Sequence, residues 1–317
     1  MIEPVVGEPE EGERARSVFR KARRRRGLSP VGRETLVLFT ISFAAYGALG
    51  YRVVVQQHLV VFDALSRLSH AYFVWHNQPP KLAAVGFVWP PLSTVVFLPF
   101  AIVKPVATSL AALPLTSAVF AAGLLCVLNR IFQLAGMPRL HRFPLLVAFG
   151  VNPMILFYAT NGMSEIVYLY FLVAGVFFFF KWYLDRIPSS LILAAVCFSA
   201  GILSRYEVIT WAVLLTGVVV LALIRQHVTR TELEGTVIAY LAPISYGVSL
   251  WLFFNWLILS DPLFFLRNQA PGGTRRPGEV SASLTVAGER IPAAELAGRI
   301  VELNWQLFPL TLVVLVA

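Results

Sequence analysis

Charge is scarce in this chain: Asp, Glu, Lys and Arg together make up 14% of its 317 residues. A soluble domain carries about 25%, so a solvated globular fold is excluded. Cysteine is nearly absent. The two present, Cys126 and Cys197, sit inside apolar runs and read as small apolar residues, which leaves no basis for a disulfide framework or a thiolate metal site. No small-residue cleavage site follows the first apolar run, and the run is preceded by a long polar segment. That pattern is not a simple secretory signal, so the first span is read as retained.

Apolar residues fill the chain instead. They account for 57% of it, the mean hydropathy is +0.72, and several runs reach the length of about 20 residues that crosses a bilayer. The expected fold class is therefore all-α, a polytopic membrane helix bundle. The net charge of +9 does not point to nucleic acid, because nine of the 26 Lys and Arg lie before residue 34. A basic cluster just ahead of a first span is a cytoplasmic, positive-inside anchor, and no nucleic-acid-binding fold accompanies KARRRR. Residues 1–13 are acidic and rich in Pro and Gly, the composition of a disordered segment.

The apolar runs predict spans at 35–54, 114–130, 143–160, 166–183, 188–203, 208–224 and 236–259, with an eighth that opens at Trp305 and is cut short at Ala317. Residues 91–113 are apolar but punctuated by Pro91, Pro99, Lys104 and Pro105. Proline breaks helices, and broken backbone at membrane depth survives only when covered. Placing 91–113 as juxtamembrane helices puts every short basic loop on the cytoplasmic side. The chain then divides into a cytoplasmic N-terminus (1–33), a transmembrane module (34–259) with an outer loop over 55–113, a second outer loop (260–304) and the start of a truncated span (305–317). The expected location is the cell membrane, multi-pass.

This arrangement gathers Asp63, Arg67, His70, His76, Lys81, Glu165, Arg205, Glu207, Asp261 and Arg267 at the outer boundary. Charged groups at the membrane edge of a helix bundle are costly and mark function. Three stretches, FDALSRLSHAYFVW with the following AAVGFVWPPLSTVVFLP, then NPMILFYATNGMSEIVYLYFL, then GILSRYEVITWAVLL, resemble the GT-C superfamily of integral-membrane glycosyltransferases. The similarity is to the protein mannosyltransferases and the lipid A aminoarabinose transferase, and it covers residues 34–270.

The resemblance implies inverting transfer of a sugar, mannose or similar, from a polyprenyl-phosphate carrier to a lipid, glycan or protein acceptor on the outer face. It implies an acid in the first outer loop, matched by Asp63, acting as base or metal ligand. Glu165 matches a second acidic position, and a divalent metal on Asp63 and Glu165 is part of the same implication. Arg205 matches the residues that hold the carrier phosphate. Some family members have two adjacent acids in the first loop, whereas Asp63 is followed by Ala64, the pattern of a single-acid branch.

Arg67, His70, His76, Lys81, Arg205, Glu207 and Arg267 complete the expected substrate contacts, and each has a plainer reading. Asp63 suits a helix N-cap. Arg67, four residues on, suits an intrahelical pair. His70 and His76, spaced by six, do not form a metal pattern. Lys81 and Arg267 suit solvated loops, Glu165 suits the first turn of a helix, and Arg205 with Glu207 suits a structural ion pair. The rival function, a transporter or flippase of a lipid or small solute, calls for polar residues at the midplane and matching halves. The sequence shows neither. A purely structural membrane subunit is disfavoured by the one-sided acids.

Overall fold

The computed structural model describes residues 29–87 and 89–264, and beyond them residues 285, 286, 289, 290, 298 and 302. The KARRRR run, Arg267 and the apolar stretch at 305–317 lie outside the described residues. Helix α1 (Pro30–Gly50) is capped by Ser29, with Pro30 at its first turn, and runs on as a π-helical turn over Tyr51–Gln56. Helix α2 (Phe62–His76) follows, then a 3-10 turn at Leu82–Val85 and three short helices, α3 (Leu92–Val95), α4 (Leu98–Ala101) and α5 (Lys104–Thr108).

The long elements come next: α6 (Ala112–Leu134), α7 (Arg139–Gly150), α8 (Pro153–Thr160), α9 (Ser164–Asp185), α10 (Pro188–Ile202), α11 (Val208–Arg225) and α12 (Arg230–Leu259). Further on, Thr285–Val286 and Glu289–Arg290 pair as a two-residue antiparallel ladder.

Among the described residues, five helices are long and apolar enough to cross a membrane: α1 with its π-helical extension, α6, α9, α11 and α12. A sixth span arises if α7 and α8, bent by 65° at their junction, are one segment. The bend has a local cause. Asn152 leaves helical geometry and caps α8 through its side chain, and Pro153 cannot continue the ladder of α7. The run expected to cross at 188–203 forms the 15 residues of α10. At 1.5 Å per residue that is about 22 Å, short of a hydrocarbon core of about 30 Å. The punctuated stretch 91–113 is indeed broken into helices of four or five residues, each too short to cross.

Three packed clusters hold the bundle together. Tyr46, Ala118, Leu125, Leu146 and Ile166 join α1, α6, α7 and α9. Phe179, Leu191, Phe198, Val208 and Tyr240 join α9 to α10, α11 and α12. Beneath the broken stretch, Val54, Leu68, Phe97 and Leu113 join α2 and the short helices to the start of α6. Large apolar residues such as Ile41, Val213, Leu214 and Leu257 are left exposed, a surface that water would penalise and lipid tails would not.

At one end of the bundle Glu34 of α1 accepts hydrogen bonds from Asn129 and Gln133 of α6 and from Arg139 of α7. Arg142, itself buried, completes this knot with a further ion pair. At the opposite end, the starts of α6, α9 and α11 meet the last turn of α10 and the broken stretch.

A polar pocket beside an apolar groove

The second of these ends carries a pocket of about 470 Å³, lined by Asp63, Arg67, Trp89, Pro90, Ser164, Glu165, Ser204, Arg205, Tyr206 and Glu207. Each wall is fixed by the backbone that carries it. Helix α2 starts with Val61 as its N-cap, so Asp63 lies within the first turn and does not serve as the cap. Arg67 is one turn further along the same face, with its Nη2 3.8 Å from a carboxylate oxygen of Asp63.

The turn that delivers Ser164 and Glu165 is clamped to α6: the Gly162 amide donates to the Ser117 hydroxyl at 2.8 Å. Gly162 has φ +81, and a Cβ there would come within 2.6 Å of the Leu113 side chain, so only glycine fits the approach. Between the remaining walls, the Leu92 amide donates to the Leu203 carbonyl at 2.8 Å, which ties the Trp89–Pro90 segment to Ser204–Glu207.

The two arginines of the pocket differ in kind. Arg205 is fully engaged: Nη1 donates to Glu165 at 2.6 Å, and Nη2 and Nε donate to Glu207 at 2.7 and 3.2 Å. Burial works against its charge, but the bonds to Glu207 and Glu165 outweigh it and hold its pKa above the ordinary arginine value. The same bonds hold the Glu207 carboxyl below the usual glutamate range, with burial opposing.

Arg67 is 3% exposed, lies over the Trp89 ring at 5.5 Å and has the Met163 sulfur 3.9 Å from Nη1. Its Nε is buried and has no hydrogen-bond partner. Burial pulls its pKa down while Asp63 and Glu165 pull it back, and a guanidinium stays charged regardless. The Ser204 hydroxyl, also in the wall, is buried without a partner as well. A buried donor left unpaired costs about 1–3 kcal/mol. Both residues stand in the same lining as the three carboxylates Asp63, Glu165 and Glu207.

Of the residues expected at the site, Asp63, Arg67, Glu165, Arg205 and Glu207 are brought together. The others are placed elsewhere. His70 bonds the Ala84 carbonyl through Nδ1 at 2.9 Å and pins the 3-10 turn to α2. His76 bonds the Ala101 carbonyl through Nε2 at 3.0 Å and lies against Tyr72. Lys81 is exposed at the start of the 3-10 turn. Ser204, Trp89 and Tyr206 are pocket residues that charge-based reading passes over. The tryptophan and the Ser-Arg-Tyr-Glu run beside a span end were the only available signals.

Among the described residues no group of three or more His, Cys, Asp and Glu is placed to hold a metal ion. Asp63 and Glu165 each face an arginine instead, so this donor set does not fit a resident divalent cation.

An apolar groove of about 210 Å³ adjoins the pocket. Phe87, Pro91, Leu203, Trp251 and Phe254 line it, and Pro91 and Leu203 are the chain neighbours of Pro90 and Ser204. Phe87 stacks on Trp251 with ring centroids 5.6 Å apart. The Trp251 indole donates to the Tyr206 hydroxyl at 3.1 Å, joining groove to pocket. No protein-family model matches the chain, and neither a curated protein nor a solved structure matches it.

Proposed function

We propose that this chain is a membrane-embedded, inverting glycosyltransferase of the GT-C type that transfers a sugar, mannose or similar, from a polyprenyl-phosphate carrier to a hydroxyl acceptor on the extracytoplasmic face. The observation that carries this reading is the adjacency of a pocket lined by three carboxylates and two guanidinium groups and a groove lined by apolar side chains, which adjoin at Pro90–Pro91 and at Leu203–Ser204. A lipid-linked sugar phosphate has that same division, with a polar head and an isoprenoid tail. The resemblance of the three sequence stretches supports the reading independently.

In the proposed reaction the acceptor hydroxyl oxygen attacks the anomeric carbon, and its proton passes to the Asp63 carboxylate. Asp63 suits this role because its side chain is 42% exposed and its partner Arg67 stands off at 3.8 Å. The bond between the anomeric carbon and the phosphate oxygen breaks, and its electron pair stays on the oxygen. The carrier leaves as a polyprenyl monophosphate with one more negative charge.

That growing charge meets the Arg67 guanidinium, a cation of the pocket wall already in place before the reaction begins. Glu165, bonded to Arg205 at 2.6 Å, is a positioning residue that holds the second cation at the rim. No step passes through a metal.

The charged residues of the helices all lie near one helix end or the other, which supports an enzyme at the membrane boundary over a transporter with a midplane site. Sugar transfer from polyprenyl-phosphate donors is to be measured in membranes carrying wild type or Asp63→Asn at matched expression. Loss of a general base costs 10²–10⁴-fold, so Asp63→Asn is expected to abolish detectable transfer. Wild-type membranes inactive with every donor would remove the glycosyltransferase reading.

A further inference from the structure

A second polar cavity, of about 440 Å³, opens at the opposite end of the bundle where α9, α10, α11 and α12 begin or end. It is far larger than the roughly 30 Å³ share of one water molecule. Trp182 forms part of its wall, and Arg186, Gln226, Glu232 and Thr236 bring polar groups to it. The Arg186 guanidinium lies over the Trp182 ring at 4.8 Å and near the Tyr183 ring at 5.1 Å. Its Nη1 is nonetheless buried without a hydrogen-bond partner.

Arg186 closes α9 with φ +57, a conformation in which glycine is at ease and arginine is strained. The position keeps its long cationic side chain despite that strain. Among the described ion pairs, none joins Arg186 to Glu232, so the cavity offers an unmatched cation and an unmatched carboxylate together.

From these groups we infer that the cavity binds the headgroup of a zwitterionic phospholipid with a primary amine, a phosphatidylethanolamine. The phosphate takes the Arg186 guanidinium, part of the cavity lining, because a guanidinium suits phosphate geometry and such charge-assisted bonds are the strong ones. The ammonium donates to the Glu232 carboxylate and the Thr236 hydroxyl. A quaternary choline has no N–H to give them, and a glycerol headgroup has no positive charge for Glu232.

A lipid is favoured over a soluble phosphoamine by what adjoins the cavity. Leu184, Ile187, Leu221 and Ile224, each within two positions of a lining residue, are exposed apolar side chains, a surface on which acyl chains can lie. Three of the four helices meeting here are among those able to cross a membrane.

The test is native mass spectrometry of the full chain, purified in mild detergent and exchanged with equal amounts of phosphatidylethanolamine, phosphatidylglycerol and phosphatidylcholine. Wild type is expected to retain the ethanolamine lipid in preference to the other two. Arg186→Gln should lower its retention about tenfold, the scale of one charge-assisted bond. Glu232→Gln, at an exposed position, should keep phospholipid but bring the ethanolamine-to-glycerol ratio to parity. If Arg186→Gln does not fold, the Glu232→Gln ratio decides alone.

Equal retention of all three lipids by wild type, or a preference unchanged in both variants, overturns the inference. So does displacement of every lipid by millimolar phosphoethanolamine, which would make the ligand the soluble headgroup.

Discussion

Arg67 and Arg205 look equivalent in the sequence, since each is an arginine near an acid at a span boundary. Three-dimensional spacing separates them. All three nitrogen positions of Arg205 are committed to Glu165 and Glu207, whereas Arg67 keeps an open Nε in a buried wall. The resemblance matches Arg205 to the phosphate ligands and leaves Arg67 as either a substrate contact or an intrahelical partner of Asp63; the proposed function assigns the phosphate to Arg67 instead. A lysine at position 67 would keep the charge but lose the planar fork. Arg67→Lys is therefore expected to lower kcat/KM for the lipid-linked donor by about 10–100-fold, the worth of a hydrogen bond to a charged group, with kcat falling because the charge it meets grows in the transition state. A kcat/KM within a factor of two of wild type would place the phosphate elsewhere.

Glu207 gives a pH signature. Its folded pKa is depressed by Arg205, so its stabilising effect is present above the unfolded glutamate value of about 4.3 and fades as pH falls below it. The melting-temperature difference between wild type and Glu207→Gln should hold from neutrality down to the unfolded glutamate value and be lost only as pH falls further, through the lower folded pKa. Because the Glu207 side chain is 58% exposed, the difference is expected to be small. A difference that grows on acidification would contradict the pairing.

Among the elements, α1 is anchored at its two ends by different chemistry. Near its C-terminal end, Gly50 sits so close to Pro114 and Thr160 that a Cβ would come within 2.5 Å of the Pro114 side chain. Near its start, Glu34 gathers donors from α6 and α7, and both its side chain and that of Arg142 are about nine-tenths buried. Removing one partner of a buried pair strands the other charge at a cost of about 3–5 kcal/mol. Glu34→Gln is accordingly expected to melt well below wild type in detergent and to expose the 135–138 turn to protease. An unchanged melting profile would mean that water already shares the knot.

The apolar runs made the long helices legible, and their lengths and positions agree with α1, α6, α9, α11 and α12. Two features resisted. The bend between α7 and α8 depends on Asn152 capping forward into Pro153, and the sequence allows either a kink or a fresh start there. The Glu34 knot joins residues 95 to 108 positions apart, a pairing that no local pattern encodes.

For the molecule as a whole, the two ends carry different charge. Arg33, Arg130, Arg139, Arg142, Lys181, Arg186, Arg225 and Arg230 all belong to the end that holds the Glu34 knot and the second cavity. The pocket end brings its arginines together with Asp63, Glu165 and Glu207. Under the positive-inside rule the orientation we propose puts the first end at the cytoplasm and opens the pocket to the other side. The apolar runs and loop charges made this division readable before any geometry. Which acid meets which arginine was not readable, because α2, the 161–165 turn and the 203–207 turn come together only through tertiary contacts.

Orientation is open to a direct check with single cysteines and a membrane-impermeant maleimide. Cys126 and Cys197 are buried or half-buried within helices, so background labelling is low. Lys81→Cys is exposed on the pocket side, and Arg230→Cys is exposed at the far end, where the side chain is 91% accessible. Intact cells should label Lys81→Cys, and Arg230→Cys should label only after permeabilisation. The opposite pattern would turn the pocket toward the cytoplasm. Asp63 and Arg67 would then face nucleotide-linked sugars as well as lipid-linked ones, and the apolar groove would become the main argument left for a polyprenyl carrier.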